Sequence, residues 1–562
     1  MGPGSAATAY PLTPRGGWGF GAPMSEQRGP FDLVKLETTG LTVSFWGAVG
    51  LFTLAFFVTP YLPLIDYHQH VALAAIMHRL FDARAPEHAL YEVNYITYNG
   101  GFHLMVALLS YAMKPEHAGR VVMAAYPALL ALAALAVVRE TDRPRWYACL
   151  VLPATYSRGM SWGFANWNLT FPVALLGIVW FLRYARGERS MLPRLLLCSC
   201  FCAYGHVLAM LCLCFGMGVI QLSRLRDLGP TWGARLGRLV STPLPVMPGI
   251  LWSVFVFRYQ TASSFSNWEE SSLEGLDDPL WYKLRHLLTM SVGNTYDLSD
   301  NILLGMALLV ALVLSTAGSR EPRSSEDQAR CDLRAIRWLC AAFFGCYLVI
   351  PKVFVATWFV YERFPTLALV FLAGAIPLRL MPHREELQAV AAGLGVAAGA
   401  NTARLWSTMG GAQDASAIID AIPENRRLIA VTYEPTTDRV SREVYVHLPG
   451  LYQARRPGQL AYTFTKFESM PVHYRPGKAL PAGPPGFEWD ANKIDFHAPW
   501  THAYDTALVR APATHEDPTR LVFKEQAYRV KVMARQGRFW LYDTSALARP
   551  PELTLPRAPE EP

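Results

Sequence analysis

At 562 residues, with 52% hydrophobic and only 17% charged side chains, the chain carries more apolar surface than one water-soluble core can bury. The excess comes in blocks, which excludes a soluble globular protein and makes lipid the solvent. The net charge of +7 sits in short arginine clusters between those blocks, so it reads as membrane topology, and no nucleic-acid partner is expected.

In chain order, residues 1–40 are rich in Gly, Pro and Ala and are expected to form a disordered cytoplasmic tail without a compact signal-peptide pattern. The first apolar block, LTVSFWGAVGLFTLAFFV (41–58), then anchors a transmembrane domain over 41–404. A large first outer loop (60–120) follows, with Asp66 at its head, an amphipathic helix carrying His70, a tyrosine-rich stretch, and GGFHLMVALLSYAM (100–113) as a helix in the outer interface. A carboxylate at the membrane surface can act as a general base or help hold a metal, and Asp before a helix can equally cap it. Asp66, His68 and His70 form D-x-H-x-H, which makes Asp66 with His70 a candidate divalent-metal pair; no other cofactor is indicated. Glu92 in YEVNY is a candidate second acid, while most neighbouring tyrosines fit an interfacial aromatic belt.

Arginine clusters at 139–145, 183–194, 224–238, 320–337 and 379–384, with Arg15, Arg28 and Lys35, should all be cytoplasmic, so an even number of crossings separates them. This places the loop RGMSWGFANW (158–167) outside after a short span at 146–157, and breaks the stretch between Arg194 and Arg224 at Tyr204, Gly205 and His206. Further outer loops fall at about 259–300 and 351–364. The fold class is a polytopic α-helical membrane protein of about eleven transmembrane helices with its C-terminal end outside. Arg158, His206, Lys352 and Arg363 all reach the outer face. Four cations on one face suit a polyprenyl phosphate, although interfacial side chains also snorkel without function. All nine cysteines lie in or beside apolar blocks; Cys198, Cys200 and Cys202 spread around a helix and give no metal geometry.

After Leu405 the pattern changes to a small α/β domain (405–548) on the outer, periplasmic side, followed by a Pro-rich disordered tail at 549–562. RRLIAVTYE, LAYTFTKF, YDTALVRA and LVFKEQAYRVKVMARQGRFWLYDT predict strands, the last a hairpin near Gln536 and Gly537; DASAIIDAIP and SREVYVHLPGLYQA predict helices.

The segments LPLIDYHQHVALAAIMHRL, GRVVMAAYPALLALAALAVVR and YERFPTLALVFLAGA give the chain a layout that resembles the GT-C membrane glycosyltransferases, the superfamily of protein mannosyltransferases and lipid A aminoarabinose transferases. GFANWNLTF and CAYGHVLAM also resemble segments of related bacterial membrane proteins. The resemblance implies a first-loop acid acting on the acceptor, here Asp66, and a basic residue close to the lipid phosphate, here Arg363. Lys352, His206 and Arg158 follow from topology alone. Where many members carry an acid followed by Lys-Pro, this chain has TYNGGFHL. The expected function is transfer of a sugar from a polyprenyl-phosphate donor to a lipid, glycan or protein acceptor at the outer face of a bacterial inner membrane. The alternative is a non-catalytic membrane protein that binds a lipid-linked saccharide or organises an envelope complex.

Overall fold

The computed structural model describes residues 39–548, apart from 226–227, 229, 265–277, 318, 321–326, 353–358, 378, 381–382 and 468. The tail expected at 549–562 lies outside the described residues, as does the 1–40 tail except Thr39 and Gly40, which open the first helix.

Helix α1 (Thr39–Ala55) packs along a late helix over Arg384–Ser407, where a Cβ at Gly399 would stand 2.9 Å from the Ala48 carbonyl. A small residue there lets the two backbones approach. Arg120 fixes the chain leaving α1 by donating to the carbonyls of Phe56 (3.0 Å), Thr59 and Pro60 (both 2.5 Å). Helix α2 (Tyr67–Arg79) differs from the amphipathic helix predicted: Tyr67 through Met77 are all buried. The face expected to meet water is covered by the C-terminal domain. Gln69 donates to the Tyr462 carbonyl, and Arg79 donates to that of Gln453 while pairing with Glu87 at 2.7 Å.

Strand β1 (Tyr91–Val93) leads to α3 (Gly101–Leu109), a short helix that buries Phe102, His103 and Val106 and exposes Leu108. Helices α4 (Pro115–Ala124) and α5 (Tyr126–Glu140) continue as one apolar rod of 26 residues. The short span expected at 146–157 is a 3₁₀ helix over Arg145–Ala154. At about 2.0 Å per residue this winding advances about a third further than an α-helix of equal length. After the single turn α6 (Arg158–Ser161) come α7 (Ala165–Ala185), α8 (Leu192–Gly205) and α9 (Val207–Ser223). The break between the last two falls at His206, whose backbone is extended (φ −165°, ψ 121°).

Helices α10 (Trp232–Ser241), α11 (Met247–Ser264), α12 (Leu280–Arg285), α13 (Leu287–Ser291), α14 (Ser299–Thr316), α15 (Asp327–Val349), α16 (Phe364–Ala375) and α17 (Arg384–Ser407) complete the bundle. A two-residue antiparallel pair, β2 (Ser319–Arg320) with β3 (Arg379–Leu380), joins two of the basic loops. Among the described residues, four helical stretches are long and apolar enough to cross a membrane: 115–140, 165–185, 232–259 and 299–316. Charge pairs gather three basic loops at one end: Glu140 binds Arg183 and Arg186, and Arg186 also reaches Asp332 at 3.1 Å.

The C-terminal part contains α18 (Ala412–Asp420), β4 (Arg427–Thr432), α19 (Gly450–Arg455), β5 (Gln459–Leu460), β6 (Val472–Tyr474), β7 (Thr506–Arg510), α20 (Thr519–Phe523), β8 (Lys531–Gln536) and β9 (Phe539–Asp543). Five strands form one sheet in the order β5-β4-β7-β9-β8, with β4 parallel to both neighbours and the rest antiparallel. The β8–β9 hairpin turns at Gly537, which has φ +54°. LAYTFTKF keeps only the end of β5 before a 3₁₀ turn, and SREVYVHLPGLYQA is helical only over α19.

The residues before α19 form a strap whose hydrogen bonds go to the membrane domain. Val440 bridges to Thr295, Ser441 N–H donates to the Asn294 carbonyl at 2.9 Å, and Tyr61 O–H donates to the Val444 carbonyl at 2.5 Å. At the end of the strap, Gly450 lies against the α2 backbone: a Cβ there would stand 2.7 Å from the carbon and oxygen of the His68 carbonyl. Backbone cannot yield as a flexible side chain does, so Gly450→Ala should destabilise the protein by about 1–3 kcal/mol and loosen the strap. A lowered melting temperature with new protease cleavage within 433–450 checks this.

Candidate functional site

Asp66 sits at the N-terminus of α2, yet its side chain makes no capping hydrogen bond. The carboxylate turns to the strap instead, where Oδ1 accepts from His447 Nδ1 at 2.8 Å. His447 is buried, its ring stacked on Tyr462 at 4.9 Å and edged by Trp489 and Phe464. Among the described residues the other carboxylate oxygen has no protein hydrogen bond, and the Asp66 side chain stays 14% accessible. One oxygen is held and the other is open.

The loop 158–164 positions Asp66 from below. Ile65 and Asp66 donate their N–H groups to the carbonyls of Ser161 (3.1 Å) and Trp162 (2.8 Å). Gly163 has φ +75°, and a Cβ there would come within 2.6 Å of Tyr67 N and 2.9 Å of Asp66 N, so only glycine permits both the turn and the approach.

Phe164, the next residue, lies under Arg363: the guanidinium carbon is 4.0 Å from the ring centroid. Arg363 is within electrostatic reach of the carboxylates of Asp66 and Glu362, and its Nη1 is 3.2 Å from His206 Nε2. His206 Nδ1 accepts from Leu208 N–H to cap α9, which puts the imidazole proton on Nε2. Arg363 and His206 therefore present two N–H donors side by side, since a His206 Nε2 that carries its proton cannot accept from the guanidinium.

His70 lies behind this pair, within electrostatic reach of His103, His206, His447 and Arg363, and its Nδ1 is 3.1 Å from His103 Nε2. His103 Nδ1 in turn meets the Asn99 carbonyl at 2.7 Å. The segments GFANWNLTF and CAYGHVLAM converge here: Asn166 bonds Phe102 N and Asn99 O, and Gly100 N–H donates to the Tyr204 carbonyl. Burial holds His68 down to about 3 and His103 down to about 4. Both stay neutral in the fold while their unfolded counterparts titrate near 6.5, so stability falls as pH drops below that value. The expected loss is about 1.4 kcal/mol per pH unit per histidine. A melting series from pH 7.5 to 5 checks this, and His103→Gln should flatten the slope.

The remaining candidate residues divide. Lys352 is at the site's rim, its ammonium 5.1 Å from the Phe359 ring, which stacks on Trp162 at 3.9 Å. Arg158 is engaged elsewhere: Nε donates to Glu362 Oε2 at 2.8 Å and Nη1 to the Thr289 carbonyl, so its charge is met within the protein. Glu362 also accepts from Trp162 Nε1, which makes the three a brace beneath the loop. Glu92 is displaced from the site. It lies on β1, paired with β6, with its side chain about half exposed and 3.9 Å from Arg475. The metal pair is also not assembled, because Asp66 bonds His447 and His70 bonds His103. Among the described residues no three His, Cys, Asp or Glu side chains are arranged to hold a metal ion.

Sequence reading missed His447, Glu362, Trp162 and Phe164. Glu362 and the two aromatics stood inside quoted segments, YERFPT and RGMSWGFANW, whereas His447 carries no local signal. A separate cavity of about 690 Å³, lined in part by Phe57, Lys114, Arg120 and Arg455, opens at the C-terminal end of α1 and shares no residue with the Asp66 cluster.

The polytopic helical bundle, with Asp66 heading one loop and Arg363 at the start of a late helix, has a fold similar to that of known structures. Two solved structures share it: ArnT from Cupriavidus metallidurans in the apo state, and ArnT from the same organism bound to undecaprenyl phosphate. Each has a TM-score of 0.55 at 13% identity, over 91% of this chain and 99% or 100% of the other. At that identity the likeness is one of fold. No family model matches the chain, and no curated protein matches it by sequence.

Proposed function

We propose that the protein is a glycosyltransferase that takes a sugar from a polyprenyl-phosphate donor at the outer face of a bacterial inner membrane and passes it to a hydroxyl of a lipid, glycan or protein. The observation that carries this is the half-held Asp66 carboxylate within electrostatic reach of Arg363, whose guanidinium lies beside His206 Nε2. The acceptor O–H would attack the anomeric carbon with inversion and give its proton to the open oxygen of Asp66. The bond from that carbon to the phosphate oxygen would break, and the polyprenyl phosphate would leave with its charge met by Arg363 and His206, with Lys352 at the rim. The solved structure of similar fold bound to undecaprenyl phosphate supports the donor class. In this reading the chain makes about eleven crossings with the N-terminus in the cytoplasm, and the 405–548 domain covers the site from the periplasm.

The test supplies purified protein in lipid nanodiscs with radiolabelled sugars on polyprenyl phosphate and with envelope lipid extract. Label passing into acceptor material supports the reading. Tight binding of undecaprenyl phosphate without transfer from any donor of the panel would leave a binding protein in place of an enzyme.

A further inference from the structure

The cavity of about 690 Å³ at the C-terminal end of α1 shares no side chain with the transfer chemistry. It is a cleft between the two parts of the chain: Phe57, Lys114 and Arg120 line it from the bundle, and Asp420, Arg455 and Arg456 from the C-terminal part. Its charges do not balance. Both carboxylates of the lining are held by one arginine, since Arg455 binds Glu116 at 2.8 Å and Asp420 at 3.0 Å. The other three cations have no carboxylate partner among the described residues. Arg120 donates to the carbonyls of Phe56, Thr59 and Pro60, Arg456 donates to the Ile422 carbonyl, and the exposed Lys114 side chain makes no bond. A carbonyl answers an N–H group and leaves the net charge in place, so the cleft keeps a positive potential that an anion would meet.

The level of the cleft says which anion. The apolar rod 115–140 begins at its wall, which puts the cleft at the membrane boundary. One turn deeper the side chains are apolar and uncovered. Val121, 42% exposed, follows His117 of the lining on the same face of α4, and Leu54, 51% exposed, precedes Phe57 by one turn at the end of α1. Cations above an exposed apolar skirt match a lipid with an anionic headgroup. A free phosphate would fill a small part of the volume and leave the skirt unused, whereas a glycerophosphate headgroup with the start of its acyl chains uses both. The strap that holds Asp66 through His447 runs into α19, whose Arg455 lines the cleft beside Arg456. An anion gripped by Arg456, Lys114 and Arg120 would therefore brace that segment against the bundle.

We propose that this cleft binds the headgroup of an anionic glycerophospholipid, neither donor nor acceptor of the reaction, and that the bound lipid ties the C-terminal part to the bundle. The experiment takes full-length protein stripped of lipid in a non-ionic detergent and adds phosphatidylglycerol, phosphatidylcholine, inorganic phosphate or undecaprenyl phosphate. Native mass spectrometry reads bound lipid, and a melting curve reads the brace. Phosphatidylglycerol should bind about tenfold more tightly than phosphatidylcholine and raise the melting temperature, inorganic phosphate should not raise it, and undecaprenyl phosphate should not displace the phospholipid. Lys114→Gln and Arg456→Gln should each weaken phosphatidylglycerol binding by about fivefold, and Arg456→Lys, which keeps the charge, should stay near wild type. Equal affinity for the two phospholipids overturns the proposal, as does a preference that survives in the double variant Lys114→Gln with Arg456→Gln. Displacement by undecaprenyl phosphate would make the cleft part of the donor site, and an equal response to inorganic phosphate would make it a pocket for small anions; either result overturns the proposal too. None of these measurements uses sugar transfer, so the transferase reading can fail without touching this one.

Discussion

Asp66→Asn is expected to lower transfer by about 10²- to 10⁴-fold, the usual worth of a positioned general base. The amide keeps the size of the carboxylate, and its oxygen can still accept from His447, so the strap should stay docked and the melting temperature should move little. Proton acceptance is what the substitution removes. Affinity for undecaprenyl phosphate should change by about threefold at most, because the acid acts on the acceptor side. The same geometry separates the roles of Asp66 and His447. His447 reaches the substrate only through Asp66, so it is a positioning residue, and His447→Ala should cost about 10- to 100-fold in kcat. His447→Asn should recover part of that loss, since its amide N–H can replace the Nδ1–H donated to Asp66. Rate measurements at saturating donor, with the pH profile of each variant, check this. Full activity in Asp66→Asn would remove the acid from the mechanism.

The parts of this arrangement legible in the sequence are those fixed by short-range rules. The charge-and-span argument put the helix break at Tyr204–His206, and the structure breaks there, because an extended residue between two apolar helices needs a cap and the His206 ring supplies it. The basic loops predicted to share one side meet through Glu140 and Asp332. Asp66 and Arg363 stood out because a charge at the end of an apolar block is rare enough to notice. Contacts made across the chain were out of reach. His447 lies 381 positions from Asp66, in a stretch whose alternation reads as a regular element; its backbone bonds go to Asn294, Thr295 and Tyr61 instead. The same long-range cover buried α2, whose sequence alone suggests a wet face. Arg158 and Glu362 were each visible, but a pairing over 204 positions that neutralises one expected phosphate contact has no local signature.

Arg363→Met should weaken undecaprenyl phosphate binding by about 10- to 100-fold and lower kcat/KM by about 10²- to 10³-fold. Methionine retains an apolar stem against Phe164, so the packing change is small and the charge is what is lost. Lysine should rescue poorly. An ammonium on a flexible stem can reach the anion, but it lacks the flat guanidinium that stacks on Phe164 and places Nη1 beside His206 Nε2. His206→Asn isolates the other donor. It forfeits the Nε2 proton, while its amide oxygen can still accept from Leu208 N–H at the head of α9, and should cost affinity with little loss of stability. The double variant is the informative one. If the two groups grip a single anion, the loss in Arg363→Met with His206→Asn falls short of the sum of the separate losses, because the second removal acts on a contact already broken. Additive losses would mean that each donor serves a different group, and the shared acceptor would have to be given up.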